Sequence, residues 1–243
     1  MNDVASARPV RLQRIARMRA NHSYWAVLGA IFVSFFLAAL LPDSDWATSL
    51  IVLVQGATLL IVIWTAGWAM TERTIPFAFA SATIIGAIVN FFWQGKGLTA
   101  ALAVAAGVLS VAIAIAIAAG AVAQNEVNSR SVAGAICVYM LFGMLFLWVY
   151  SLLATLQHTP FFAQGTDGTR PLRLYFSFTT LATLGYGDYT ASSNLGHALA
   201  VLEALIGQLY LVTVVAVVVT RLGRPGRKML QLDKESETDG PET

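Results

Sequence analysis

From residue 171 to residue 188 the chain reads Pro-Leu-Arg-Leu-Tyr-Phe-Ser-Phe-Thr-Thr-Leu-Ala-Thr-Leu-Gly-Tyr-Gly-Asp. The chemistry of its last six residues lies in the backbone. A monovalent cation stripped of water needs several neutral oxygens at once. Stacked rings of backbone carbonyls supply them without the trapping that a full carboxylate would cause. Aiming successive carbonyls at one axis requires backbone angles that Gly185 and Gly187 permit and that a residue with a Cβ resists. Thr183 adds a hydroxyl at the inner end, and Asp188 stands at the outer mouth. Tyr186 is expected to turn away from the axis, braced by Tyr175 and Phe176. Thr183, Leu184, Gly185, Tyr186 and Gly187 form the candidate ion site, with the permeant ion as its ligand and no cofactor.

Such a segment needs particular elements around it. Pro171 suits the first position of a helix, and the apolar stretch Leu172–Leu181 makes a helix of about 15 Å, half a bilayer. Its carboxyl end, with a partial negative charge, points toward the bilayer centre and favours a cation there. A half-length helix followed by non-helical backbone at membrane depth is a re-entrant element, tolerated where protein or a water-filled path surrounds it. The chain is 57% apolar and 12% charged, against about half and a quarter for soluble proteins. Apolar runs at Tyr24–Leu41, Trp46–Met70, Ile75–Trp93, Leu98–Ala123, Ser131–Leu156 and Leu195–Thr220 predict six spanning helices. The Ala-Ile alternation at 112–118 would suit a strand, but the long apolar run around it favours a helix. The fold class is all-α integral membrane, with the re-entrant helix and filter between helices five and six.

Five arginines precede the first run, resembling the front of a secretory signal, but the apolar stretch exceeds a signal core. Leu12, Ile15 and Met18 among them suit an amphipathic helix on an anionic lipid surface, or a solvated tail. With Arg73, Arg130 and five basic residues after the last run, the terminal side outweighs Lys96, Arg170 and Arg173 on the other. Both termini are therefore expected in the cytoplasm, with the chain in the cell membrane. A net charge of +2 gives no reason to expect nucleic acid, and the single Cys137 excludes an intrachain disulfide. No nucleophile elbow, phosphate loop or metal-spaced His pair indicates an enzyme.

The stretch Thr183-Leu184-Gly185-Tyr186-Gly187-Asp188 closely resembles the signature of the tetrameric potassium channels, usually Thr-Val-Gly-Tyr-Gly-Asp. The preceding Phe176–Leu181 and the two flanking spans extend the likeness over Ser131–Leu222. The resemblance implies a potassium-selective channel subunit acting as a homotetramer in the lipid bilayer, since one loop supplies a quarter of each carbonyl ring. Leu184 and Ala182 depart from the usual Val and Thr, which bears on filter stiffness and on block. The family's inner helix corresponds to Leu195–Thr220, with Gly207 at the usual hinge; close helix packing is the alternative role for that glycine. Val212–Val218 forms either an apolar constriction or lipid-facing surface.

The fourth run carries no arginine ladder, so it is not a voltage sensor of the charged kind. Gln55 and Asn90 are expected to hydrogen-bond between helices. Glu203, the one acidic residue inside any of these spans, needs a partner, and Thr179 and Thr180 on the short helix are expected to supply it. Its role is either to tie the inner helix to the short helix or to couple gate and filter in a proton-sensitive way. The expected organisation is a basic cytoplasmic segment (1–23), a four-helix region (24–125), a pore domain (126–228) and a disordered acidic tail (229–243). A pore-loop subunit of a potassium transporter and a non-conducting membrane scaffold are the alternatives, and a separate regulatory subunit stays open as a partner.

Overall fold

A computed structural model describes residues 25–65, 70–93, 95–122 and 129–222, all helices and connections apart from isolated β-bridges. The basic segment and the acidic tail lie outside the described residues. Helix α1 is described over Trp25–Leu40. It is followed by α2 (Asp45–Thr65), α3 (Met70–Trp93), α4 (Lys96–Val122), α5 (Ser129–Leu156), α6 (Arg170–Leu181) and α7 (Asn194–Leu222). Five of these, α2 to α5 and α7, are long and apolar enough to cross a membrane, whereas α1 falls short of 18 residues over its described length. The third helix starts before the expected Ile75 and runs through Pro76, whose missing N–H removes one intrahelical hydrogen bond.

Small residues let the first helices approach closely. A Cβ on Gly56 of α2 would lie 2.7 Å from Ile84 of α3, and one on Gly107 of α4 would touch Trp148 of α5. Helix α4 packs on α2, α3 and α5, as its Ala-rich sequence allows. The two buried amide side chains in these helices find partners across the interfaces, as expected for groups that lipid cannot satisfy. Asn90 donates to Ser49 and to Thr99, each at 3.0 Å, tying α3 to α2 and α4, and Gln55 donates to Ser110 at 3.5 Å. At the helix ends Trp64, Phe92 and Trp93 stay exposed.

The short helix α6 is held between α5 and α7, and Phe35 of α1 meets Phe178 of α6 edge to face at 5.0 Å. Gly143 of α5 leaves room for the Phe178 ring, which a Cβ there would meet at 2.5 Å. Helix α7 is different. Only 11% of its apolar window is buried, against 61% for α2 and α5, and Leu202, Leu205, Leu209 and Val212 are exposed on it.

Candidate functional site: the short helix and the segment after it

Arg170 opens α6 with Pro171 beside it, and the helix ends at Leu181. The expected short element is therefore present, with Thr169 as its N-cap. After it, φ is positive at Thr183 (56°), Gly185 (51°) and Gly187 (77°). Leu184 and Tyr186 are not in that region, so the sign alternates along the segment. Alternation of this kind turns successive peptide planes the same way, unlike the alternating carbonyls of a β-strand. The glycines were expected to do this; Thr183 was not. A residue with a Cβ costs roughly 1–3 kcal/mol in this conformation, so the surrounding structure must hold Thr183 there.

Hydrogen bonds from the segment's amides provide that hold. The carbonyl of Thr179, in the last turn of α6, accepts from Leu184 N at 2.8 Å and from Gly185 N at 3.3 Å, while Thr183 N donates to Thr180 O at 2.9 Å. The amides thus face back to the helix. At its outer end, the Tyr186 ring stacks on Tyr175 with centroids 6.4 Å apart and 4° between planes. Tyr175 OH donates to Asp188 Oδ2 at 2.9 Å. Gln164 donates to the Asp188 carbonyl, and Thr190 N donates to Gln164. Phe176 does not meet Tyr186 as expected. It lies on the opposite side of α6, in a cluster with Tyr150, Phe161 and Phe162.

That cluster takes in part of the turret, the connection 157–169 between α5 and α6. Phe161 and Phe162 are fully buried, and the strand-like pairing of Phe162 with Ala191, supported by Ser192 N donating to Phe161 O, ties the turret to the chain after the filter. The two adjacent phenylalanines were the available signal.

Glu203 also has other partners than those expected. Its carboxylate accepts from Ser177 and from Tyr150, both at 2.5 Å, and is fully buried. Ser177 in addition lies 2.8 Å from Gly143 O. Thr179 instead donates to Phe176 O within its own helix, and no Thr180 hydroxyl reaches Glu203. The reason is helical geometry: Leu174, Ser177 and Leu181 recur at spacings of three and four, share the buried face of α6, and leave Thr179 and Thr180 off it. Gly207, one turn further along α7, passes so close to the end of α6 that a Cβ would overlap the Leu181 carbonyl oxygen. Close packing is thus a role the structure gives it.

With this geometry established, the comparison with known families is direct. Residues 134–224 match the family described as ion channel. This stretch, 91 of the 243 residues, is what the chain shares with ion channels. Together with the five helices long and apolar enough to cross a membrane, the match supports a multi-pass membrane protein with a role in ion transport. No curated protein matches the chain. Within the channel domain the match begins in α5 and takes in the turret, α6, the segment 183–188 and α7.

Tyr175 offers a graded test of the outer end of this domain. Tyr175→Phe, which keeps the ring stack, should reduce ion flux less than Tyr175→Leu, which removes both contacts. Equal effects of the two would show that the stack contributes nothing.

Proposed function

We propose that the chain is the subunit of a potassium-selective channel, with four copies placing residues 183–187 around one axis. The observation that carries this reading is the alternation of backbone sign at Thr183, Gly185 and Gly187, with the amides of Leu184 and Gly185 taken up by Thr179 O. A ring of carbonyls selects a dehydrated cation only if the carbonyls are free to face it, and amides committed to the helix leave them so. Tetramer assembly is supported by the unburied apolar face of α7 and by the exposure of Leu184 and Tyr186 in the subunit. The pore domain then extends over 126–228, and the four preceding helices over 24–125 pack against it through α4 and α5.

In this reading six helices cross the bilayer, α6 enters from the outer side and returns, and both termini are cytoplasmic. The clustering of the α1–α2 connection with the start of α6, through Arg170 and Pro42, supports a common outer end. Lys96, Arg170 and Arg173 are the basic residues on that side. Potassium is the permeant ion, and no cofactor has a part. The test is flux of the purified protein in liposomes: rubidium and potassium should enter much faster than sodium, and equal rates would overturn the reading.

A further inference from the structure

The start of α6 carries an electrostatic anomaly. A helix N-terminus has a partial positive charge and favours acidic residues in its first turn, yet α6 has none there and instead has Arg170 and Arg173. Arg170 is buried to 1% exposure, its guanidinium donating to Thr48 Oγ1 at 2.8 Å and to Pro42 O at 2.6 Å. Arg173 donates to Ser151 Oγ and to the carbonyls of Asp167 and Gly168. The missing anion comes from elsewhere in the sequence. Asp43, in the short connection between α1 and α2, accepts the backbone N–H of Arg170 at 2.9 Å and pairs with Arg173 Nη2 at 3.2 Å through the same oxygen.

We propose that Asp43 is a positioning residue for the filter, through which the N-terminal helices set the register of α6 from the outer face. The inference rests on the channel reading above and extends it to a control point in the N-terminal helices. Its physical basis is leverage. From Arg170 to Thr179 the helix extends about 13 Å, so a tilt of about 5° about its start moves the Thr179 carbonyl by roughly 1 Å. A displacement of that size breaks hydrogen bonds such as those from Leu184 and Gly185, which keep the filter amides turned back. The Phe35–Phe178 contact gives α1 a second hold on the same helix. Two other acidic side chains lie near this end and hold neither Arg170 N nor the Arg173 guanidinium: Asp45 opens α2 two residues on, Asp167 accepts the Phe161 N–H at 2.9 Å, and the only ion pair among the described residues is that of Asp43.

The test compares wild type, Asp43→Ala, Asp43→Asn, Asp43→Glu and Asp45→Asn, each as the full chain in phosphatidylethanolamine and phosphatidylglycerol vesicles. The readout is the ratio of rubidium to sodium influx, which a merely structural loss of folded protein would not move. Removing a charged hydrogen-bond acceptor should lower the ratio about tenfold in Asp43→Ala, with Asp43→Asn intermediate and Asp43→Glu restoring part of it. Asp45→Asn makes the same charge change without touching α6 and should match wild type. If Asp43→Ala does not fold, Asp43→Asn, which keeps shape and an acceptor oxygen, carries the comparison. A wild-type ratio in the Asp43 variants overturns this proposal alone. A wild type that does not discriminate rubidium from sodium overturns the channel reading and this proposal together.

Discussion

Gly185→Ala is expected to abolish rubidium flux while the protein still folds and assembles. Nothing lies within 4 Å of a Cβ built on Gly185 in the subunit, so the substitution creates no clash, only strain at φ 51°. A left-handed conformation costs an L-residue with a Cβ roughly 1–2 kcal/mol. Thr183 already bears one such cost in each copy of the segment, and Gly185→Ala adds a second two residues on. Four copies around one axis multiply it to about 4–8 kcal/mol on a single ring. At about 1.4 kcal/mol per tenfold, the conducting conformation falls by more than a hundredfold. The matched control is Gly165→Ala, which has the same kind of strain (φ 78°) and the same open space, but lies in the turret. It should cost similar stability and leave flux near wild type. Loss of flux in both variants would show that strain anywhere in the loop suffices, and the filter backbone would lose its special place.

The second large effect concerns Glu203, where α5, α6 and α7 meet. Glu203→Ala leaves the Tyr150 hydroxyl buried without its acceptor, at about 1–3 kcal/mol, and leaves Ser177 with Gly143 O alone. For a protein of this size that should lower Tm by about 2–12 °C, read by thermal unfolding in detergent. Glu203→Gln keeps one acceptor oxygen and presents an N–H to the other hydroxyl, so its Tm should fall by less than half as much. Equal losses in the two variants would mean that the carboxylate, not the shape of the brace, is required. The same pair of proteins separates the two roles considered for Glu203. Conductance that varies between about pH 5 and 8 and becomes constant in Glu203→Gln assigns it proton-sensitive coupling, whereas a pH-independent wild type leaves the brace.

The helices were legible because lipid solvent demands long apolar runs, and the short helix because Pro171 and a ten-residue apolar stretch cannot make a span. The backbone conformation at 185 and 187 was legible because only glycine takes such angles without strain. What the sequence hid is pairwise. Three hydroxyls on α6 lie within one turn of each other, and choosing Ser177 over Thr179 and Thr180 required knowing which face α5 and α7 cover. The spacing of Leu174, Ser177 and Leu181 held that information, but Phe176 and Phe178 on the remaining faces blurred the pattern. The partnership of Asp43 with Arg170 and Arg173 was further from reach, because well over a hundred residues separate the two ends of the contact. A hydropathy reading treats both as loop charges.

The exposed aromatic rings at the helix ends tie the N-terminal bundle to a particular thickness of hydrocarbon. Trp64 closes one end of α2, and Phe92 with Trp93 closes the opposite end of the membrane layer at the foot of α3. Indole and phenyl rings favour the headgroup boundary, so these positions act as depth markers. A bilayer thinner or thicker than the separation between them is accommodated by tilt of α2 and α3, at a modest cost for each ångström of mismatch. In the proposed channel Asp43, two residues before α2, would transmit that tilt to the start of α6. Lipid chain length would thereby become a physical variable of the proposed filter, although no lipid needs to touch it.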